Sequence, residues 1–289
     1  MKIKITGQSG YLGNIITKEL SAHGHSITAI SRNLLYGDVD LLKNELSGAD
    51  VIIHLAGSPI LTRWNTKNRR IITESRVVTT QNLVKAIKKL NSDDRPKKFI
   101  QASAIGIYKA FENHDENSQN FDTGFVGNVV KQWENASEDL PAEIKRTVLR
   151  IGLVIGKKAK TITNLLLPFQ LGLGAKIGNG KQPFPFIHDA DVAGAFLWAA
   201  ENDSAYSIFN LVAPQQISNN DFTKALAKAL HRPALFIIPE FVLKMILGEA
   251  AMLLTDIPGV IPKNLISAGF KFRYQEIESA LKDIVNVKS

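Results

Sequence analysis

Lys2-Ile3-Lys4-Ile5-Thr6-Gly7-Gln8-Ser9-Gly10-Tyr11-Leu12-Gly13-Asn14-Ile15-Ile16 is the stretch on which the fold of this chain turns. Its opening alternates lysine with isoleucine, the period-two pattern of a strand. From Asn14 to Ala22 the apolar residues Ile15, Ile16 and Leu20 follow helical spacing. Between the two stand Gly7, Gly10 and Gly13. Strand, glycine turn and helix in that order form the dinucleotide-binding fingerprint. Gly7 permits the tight turn, Gly10 lets the backbone approach a pyrophosphate, and Gly13 lets the helix pack closely on the strand. The helix N-terminus then turns free N–H groups and a positive dipole end toward the anion. Ser9, Tyr11 and Leu12, which lie between these glycines, belong to the same expected cofactor site.

At 289 residues the chain suits one large domain or two intimate ones. Its 45% hydrophobic content indicates a globular protein with an ample core. There is no cysteine, which excludes disulfides, thiol catalysis and cysteine metal sites and fits a reducing, cytoplasmic setting. The N-terminus enters the fingerprint directly, leaving no room for a signal peptide. The richest apolar stretch, Ala234 to Leu254, carries Pro239, Glu240, Lys244 and Glu249, so no membrane span is expected. The formal charge of +8 is spread over scattered pairs such as Arg69-Arg70, Lys88-Lys89 and Lys157-Lys158. Such pairs read as solvated faces, not as a nucleic-acid footprint, and a polyanionic small molecule accounts for the sign. His23-Gly24-His25 lacks a third ligand nearby, so no metal is expected.

Strands and helices alternate along the chain. Ser26–Ser31, Asp50–Gly57, Lys98–Ala104 and Thr147–Ile155 read as strands, and Lys67–Leu90 and Gly127–Leu140 as helices. The segment Arg32–Asp50 is too short for a full helix and a full strand, so a clipped unit with a turn at Gly37-Asp38 is expected there. After Ile155 the Gly- and Pro-rich stretch Leu165–Pro185 reads as a loop within a cap excursion spanning 160–185. Asp189–Glu201 reads as a helix and Ser207–Val212 as a strand. Ser218 caps a helix running to Leu230, and two more helices follow at Pro239–Leu254 and Gln275–Val285. The alternation predicts an α/β, Rossmann-type doubly wound parallel sheet with a smaller C-terminal substrate or cap region. The expected division is residues 1–212 for the dinucleotide-binding domain and 213–289 for the C-terminal domain.

In this fold the end of the second strand selects the dinucleotide. An acid there bonds the ribose 2′-hydroxyl, and an arginine accepts a 2′-phosphate. Here the chain reads Ala29-Ile30-Ser31-Arg32-Asn33, with no acid. Arg32 can fork onto phosphate oxygens and Ser31 can donate a hydrogen bond. NADP(H) is therefore favoured over NAD. Asp38, beyond the turn, is placed near the adenine.

Further motifs narrow the reading. His54-Leu-Ala-Gly-Ser-Pro-Ile60, Arg63-Trp64, Ser75-Arg76, Ser103-Ala-Ile-Gly-Ile-Tyr108, Trp133-Glu134 and Leu149-Arg-Ile-Gly-Leu-Val-Ile-Gly156 occur in order. Pro168-Phe-Gln-Leu-Gly-Leu-Gly174, Ile187-His-Asp-Ala-Asp191, Phe209-Asn210 and Ala268-Gly-Phe-Lys-Phe272 follow. With the glycine turn, they resemble the atypical extended short-chain dehydrogenase/reductases. The resemblance is to the NAD-dependent epimerase/dehydratase-like subgroup that carries its own C-terminal domain, and it covers essentially the whole chain. Bacterial members are often labelled nucleoside-diphosphate-sugar epimerases, and some cell-division inhibitors. The resemblance implies that Leu55, Ala56 and Gly57 line the cofactor and that Ala102 and the strand ending at Ser103 bring the nicotinamide to the substrate. It implies that Ile151 and Gly152 run past the nicotinamide ring, and that Arg63, Trp64, Tyr108 and His188 face a small-molecule substrate. Related folds pair through helices such as Lys67–Leu90 and Gly127–Leu140, which makes a homodimer one expected assembly.

The superfamily works with Tyr-x-x-x-Lys on one helix, where the ammonium lowers the tyrosine pKa. Four residues after Tyr11, Tyr36, Tyr108, Tyr206 and Tyr274 stand Ile15, Asp40, Glu112, Asn210 and Glu278, so the pair is absent. By the resemblance, its positions fall near Val126 and Val130, and the companion serine on Ala104. Tyr108, Ser103, His188 and Lys131 are the substitutes to consider, though Lys131 is rotated by about 100° from the expected lysine. Two functions stay open. One is an NADP(H)-dependent oxidoreductase or epimerase acting on a carbonyl or sugar-nucleotide substrate. The other is a non-catalytic NADP(H)-binding sensor.

Overall fold

The computed structural model describes residues 1–285; residues 286–289, the tail of the expected C-terminal region, lie outside the described residues. The chain opens with β1 (Lys2–Thr6), the glycine turn and α1 (Tyr11–Ala22). After β2 (Ser26–Ile30), the clipped unit consists of two short helices, α2 (Arg32–Tyr36) and α3 (Val39–Leu46), separated at Gly37-Asp38 with no strand between them. Next come β3 (Val51–His54), α4 (Thr66–Lys88), β4 (Lys98–Ala104), α5 (Phe125–Asn135) and β5 (Lys145–Ile151). Later in the chain, α7 (Asp189–Glu201) leads to β9 (Ile208–Leu211), which closes the sheet.

Six strands form one sheet in the order β9-β5-β4-β3-β1-β2, and every neighbouring pair is parallel. Alternate residues serve opposite faces. Val51 and Ile53 join the core beneath α1 and α7, while Ile52 joins the core beneath α3 and α4. Burial on both faces explains the nearly continuous apolar character of β3. The strand order reverses between β1 and β3, so their carboxyl ends flank the crevice where ligands bind in such sheets. Thr6 is in register with Ile30 on one side and His54 on the other, which brings three strand ends level around that crevice.

Between β5 and α7 the chain leaves the sheet. Thr147–Ile155 is not one strand but two, β5 and β6 (Leu153–Ile155), divided at Gly152. A Cβ on Gly152 would stand 2.4 Å from Pro185 O and 2.6 Å from Val212 Cγ1. β6 then pairs with β8 (Phe186–His188), outside the main sheet. Leu165–Pro185 is not all loop, because α6 (Lys160–Gln170) carries Pro168 in its last turn. Burial of Ile162 and Phe169 holds that helix in spite of the proline, and Gly172 at φ +75° follows its end. β7 (Ala175–Ile177) comes next and pairs with β10 (Phe236–Ile238).

The C-terminal helices are α8 (Asn219–Leu230), α9 (Glu240–Leu247) and α10 (Ile277–Val285). α8 starts with a reciprocal cap between Ser218 and Asp221. The expected helix Pro239–Leu254 is broken at Gly248, where φ is +63°; a 3-10 turn over Gly248–Ala251 and a short helical turn over Met252–Thr255 follow. α5 begins earlier and ends earlier than Gly127–Leu140, since Asp122 Oδ2 accepts from Gly127 N at 2.9 Å and anchors the first turn. Phe184, Phe186, Phe222, Leu226 and Leu281 form a second apolar core that joins α6, α8 and α10. Among the described residues no helix is long and apolar enough to cross a membrane.

Candidate functional site

The glycine turn rests directly on the end of β3. Gly7 sits at φ +71°, and a Cβ there would stand 3.0 Å from Leu55 C and O. A Cβ on Gly13 would stand 2.2 Å from Gly7 O and 2.7 Å from Gln8 Cα, so only glycine lets α1 approach β1 this closely. Gly10 is the N-cap of α1, and no side chain caps that end. The first-turn N–H groups are therefore left for water or an anion. Leu12 is half-buried within that turn. The Tyr11 hydroxyl donates to Asp189, the first residue of α7, and burial followed by the Asp189 carboxylate pushes the phenol pKa far up. This bond ties the glycine turn to an element 178 residues away, and no sequence pattern announces it.

A groove of about 380 Å³ crosses the carboxyl ends of β3, β1 and β2. It brings together Gly7, Ser9, Gly10, Ser31, Arg32, Leu55, Ala56 and Gly57, and adds Tyr36, Ser58, Ser75 and Thr79, which the sequence reading did not include. At its β2 end Ser31 caps α2, accepting from Leu34 N at 3.4 Å, which leaves its hydroxyl proton free to donate. Arg32 is exposed, with Cζ 5.7 Å from the ring centroid of Tyr36, one helical turn on. Asp38 lies beyond that turn, where its carboxylate accepts from Asp40 N and caps α3. Asp38 is not among the residues lining the groove. On the outer side of the turn a hollow bordered by Ser9, Gly10 and Tyr11 carries Lys18, Lys157 and Lys158.

A buried chain of hydrogen bonds fixes the groove's floor. Thr6 Oγ1 accepts from Leu55 N at 3.0 Å and Ala56 N at 3.1 Å, and lies 2.8 Å from His54 Nδ1. Thr80 Oγ1 donates to Arg76 O at 2.6 Å and lies 2.9 Å from His54 Nε2. With the Thr80 proton committed, His54 Nε2 is the donor to Thr80, and Nδ1 accepts from Thr6. Burial lowers the His54 pKa to about 3, so the ring is neutral. β1, β3 and α4 are thus joined under the Leu55–Gly57 loop by a residue at the polar end of an apolar strand.

The proposed proton donors are placed differently from expectation. Ser103 Oγ donates to Glu134 Oε1 at 2.5 Å. Arg150 grips the same carboxylate through Nε to Oε1 at 2.8 Å and Nη2 to Oε2 at 2.7 Å. Arg150 Nη1 donates to the Tyr108 hydroxyl at 2.8 Å, and Tyr108 donates to Asn210 Oδ1 at 2.8 Å. Tyr108 is only 2% exposed and stacks on His114. Ser103 and Tyr108 therefore belong to a closed internal network, not to an open cleft wall. Burial raises the Tyr108 pKa against the opposing pull of Arg150, which makes it a poorer acid. Val126 and Val130 are buried with Trp64 and Ile105, filling with packing the places the tyrosine and lysine would take. Lys131 is exposed on α5.

The other expected substrate contacts divide in the same way. Trp64 is buried, with its indole N–H donating to Ile60 O at 2.9 Å and its ring edge-on to Phe125, so it packs beneath the cleft loop. Arg63 is exposed and reaches Met245 O at 3.2 Å on α9. His188 is buried and caps α7 by accepting from Ala190 N at 3.1 Å, and burial lowers its pKa. Its Nδ1 serves as a helix cap, and its Nε2 is buried without a hydrogen-bond partner. Ala102 lies inside β4, and Ala104 and Ile151 are paired at the carboxyl ends of β4 and β5. Gly152 follows at the division already described. Among the described residues no group of three His, Asp or Glu side chains could hold a metal ion.

Residues 3–211 match the model of the NAD dependent epimerase/dehydratase family, and residues 238–284 match a domain of unknown function, DUF1731. The chain is 35% identical to epimerase family protein SDR39U1 of Mus musculus over 295 residues, covering 99% of this chain and 100% of that protein. It is 32% identical to epimerase family protein YfhF of Bacillus subtilis, covering 99% and 98%. The crystal structure of human epimerase family protein SDR39U1 with NADPH superposes with a TM-score of 0.92 at 34% identity, covering 99% of this chain and 100% of that one. By sequence motif, sheet order and overall similarity, this chain belongs to the NAD dependent epimerase/dehydratase family.

Proposed function

We propose that this protein binds NADP(H) across the β1/β3 crevice and acts as a reductase or epimerase on a small carbonyl or sugar-nucleotide substrate. The observation that carries the cofactor is the uncapped N-terminus of α1. Gly13 sets that end against Gly7 and Gln8 of the turn, and Gly7 sets the turn against Leu55 and Ala56. That cradle would be filled by any Cβ, and its free N–H groups suit a pyrophosphate. The choice of NADP(H) rests on Ser31 and Arg32 at the end of β2, where an acid would serve NAD. The human SDR39U1 structure with NADPH supports the same choice. When bound, the cofactor supplies hydride chemistry, and the chain supplies binding, orientation and exclusion of water. Residues 1–212 are read as holding the dinucleotide, with the region from 213 onward serving as the cap over the substrate.

A second reading, a non-catalytic NADP(H)-binding sensor, draws on a specific observation. Ser103 and Tyr108 are engaged internally, and valines occupy the places of the tyrosine and lysine pair. Titration with NADPH and NADH by fluorescence, followed by NADPH absorbance with carbonyl and sugar-nucleotide substrates, tests both readings. Tight NADPH binding with turnover supports the enzyme, tight binding without turnover on any class supports the sensor, and no preference for NADPH overturns the cofactor assignment.

A further inference from the structure

Arg76 lies on α4 between Ser75 and Thr79, two residues that line the groove. Its guanidinium is pressed against Gly57, so that a Cβ on Gly57 would stand 3.3 Å from Cζ. Nη2 donates to Ser58 O and Nη1 to Ile72 O, each at 3.0 Å. Cζ lies 5.3 Å from the ring of Trp133 on α5. All of these partners are neutral. Glu74, two residues before it, is committed to Arg70, and Glu134, next to Trp133 on α5, to Arg150; among the described residues no carboxylate lies within ion-pair distance of Arg76. Burial depresses its pKa to about 10, which still leaves it charged at neutral pH. The side chain is not fully enclosed and keeps partial solvent exposure.

A largely buried cation held only by carbonyls and an aromatic face lacks the counter-charge that normally offsets its desolvation. Its location says where that charge would come from. The groove runs from β2 across β1 to β3, with Arg32 at its β2 end; Arg76 is not itself among the lining residues but lies directly behind two that are, Gly57 and Ser58, at the β3 end. Arg76 also lies one helical turn from Ile72, which packs with Val130, the residue in the place of the missing lysine. It is a cation supplied to that end of the cleft by α4 when α5 supplies none.

We propose that Arg76 is a second anion-recognition group of this cleft, taking phosphate or carboxylate oxygens at the end opposite Arg32. The anion has two sources, the cofactor's own pyrophosphate or an acidic group on the substrate, and the position assigned to it rests on the cofactor reading above. Gly57 is part of the device, because its missing Cβ lets the guanidinium lie against the backbone of a groove-lining residue.

The test uses wild type, Arg76→Met, Arg76→Lys and the control Arg70→Met, each checked for folding by thermal denaturation. NADPH is titrated by fluorescence, and inorganic phosphate and malonate are titrated calorimetrically into protein with and without saturating NADPH. Loss of a charge-assisted contact predicts at least about tenfold weaker binding in Arg76→Met. Arg76→Lys, which keeps charge without the fork, falls between, and Arg70→Met is unchanged. Tenfold weaker NADPH assigns the anion to the cofactor. Unchanged NADPH with phosphate or malonate binding lost from the NADPH-loaded protein assigns it to the substrate. If Arg76→Met does not fold, the comparison rests on Arg76→Lys alone. Less than about a twofold change in every titration overturns the proposal. Failure of the wild type to bind NADPH is a separate result that removes the cofactor reading. The phosphate and malonate titrations of cofactor-free protein then still decide the role of Arg76.

Discussion

Arg150 and Glu134 meet as a buried bidentate pair, 3% and 5% exposed, with contacts of 2.8 and 2.7 Å. The carboxylate's Oε1 also accepts from Ser103, and the remaining Arg150 nitrogen donates to Tyr108. Four side chains from β4, α5, β5 and the segment after β4 are thereby satisfied by one another. A fully satisfied network of this kind fixes the relative placement of its elements. It also engages the hydroxyls of Ser103 and Tyr108 internally.

Breaking the pair strands a buried charge. Glu134→Gln or Arg150→Met is expected to lower unfolding free energy by about 3–5 kcal/mol, the range for removing one partner of a buried ion pair. Urea unfolding followed by circular dichroism measures this. A loss below about 1 kcal/mol would place the pair among weak surface bridges instead.

Tyr108→Phe separates structure from catalysis. The change leaves Asn210 Oδ1 without its donor and Arg150 Nη1 without its acceptor. The expected cost is about 1–3 kcal/mol of stability, with NADPH affinity unchanged. If a substrate is found, turnover should survive the substitution under conditions where the variant is folded. Turnover abolished in a folded Tyr108→Phe protein would restore the tyrosine to the reaction.

His54 gives the fold an acid sensitivity. Its pKa is about 3 in the folded protein against 6.5 when free, so between those values the unfolded chain holds a proton that the native one does not. Stability is whole above pH 6.5 and falls as pH drops toward 3, by about 1.4 kcal/mol per pH unit at most. From about pH 7 to about pH 5, wild type should lose roughly 2 kcal/mol more than His54→Asn. Equal losses in the two proteins, measured by urea unfolding at each pH, would show that another group sets the acid limit.

The glycine turn, the clipped unit and the strand alternation were legible because each depends on local spacing that the fold uses directly. Gly13 could be nothing else at 2.2 Å from Gly7 O. The helix through Pro168 was not legible, since burial of Ile162 and Phe169 outweighs a breaker placed in the last turn. The division at Gly152 was hidden because apolar residues run on both sides of it, Val148, Leu149 and Ile151 before and Leu153 to Ile155 after, and only the approach of Pro185 and Val212 shows where the chain turns away. At the site, sequence located Gly7, Ser9, Gly10, Ser31, Arg32 and Leu55 to Gly57 of the groove, but not Tyr36, Ser58, Ser75 or Thr79, nor the directions of the side chains. Tyr108 and Trp64 stand in motifs that suit a ligand, yet each spends its polar atom on a partner distant in the chain or on backbone, and His188 commits Nδ1 to Ala190 N while its Nε2 is buried without a hydrogen-bond partner. Arg76 was visible as half of Ser75-Arg76, but its lack of a carboxylate is a fact of packing.

The last prediction concerns cofactor choice. Arg32 is exposed at the start of α2, one turn from Tyr36, and Ser31 keeps a hydroxyl proton to donate. A 2′-phosphate there would gain a forked, charge-assisted contact that a 2′-hydroxyl cannot match. Arg32→Glu replaces that attraction with repulsion and installs the kind of acid that serves NAD. NADPH affinity should fall by about 10- to 100-fold, corresponding to roughly 1.5–3 kcal/mol for a lost charged hydrogen bond. NADH affinity should stay within about threefold or improve, because nothing at its 2′-hydroxyl depends on a positive charge. Parallel fluorescence titrations of both cofactors give the ratio. Equal weakening of the two would mean that Arg32 supports the groove's shape, and the selection of NADP(H) would then have to come from another residue on the β2 side.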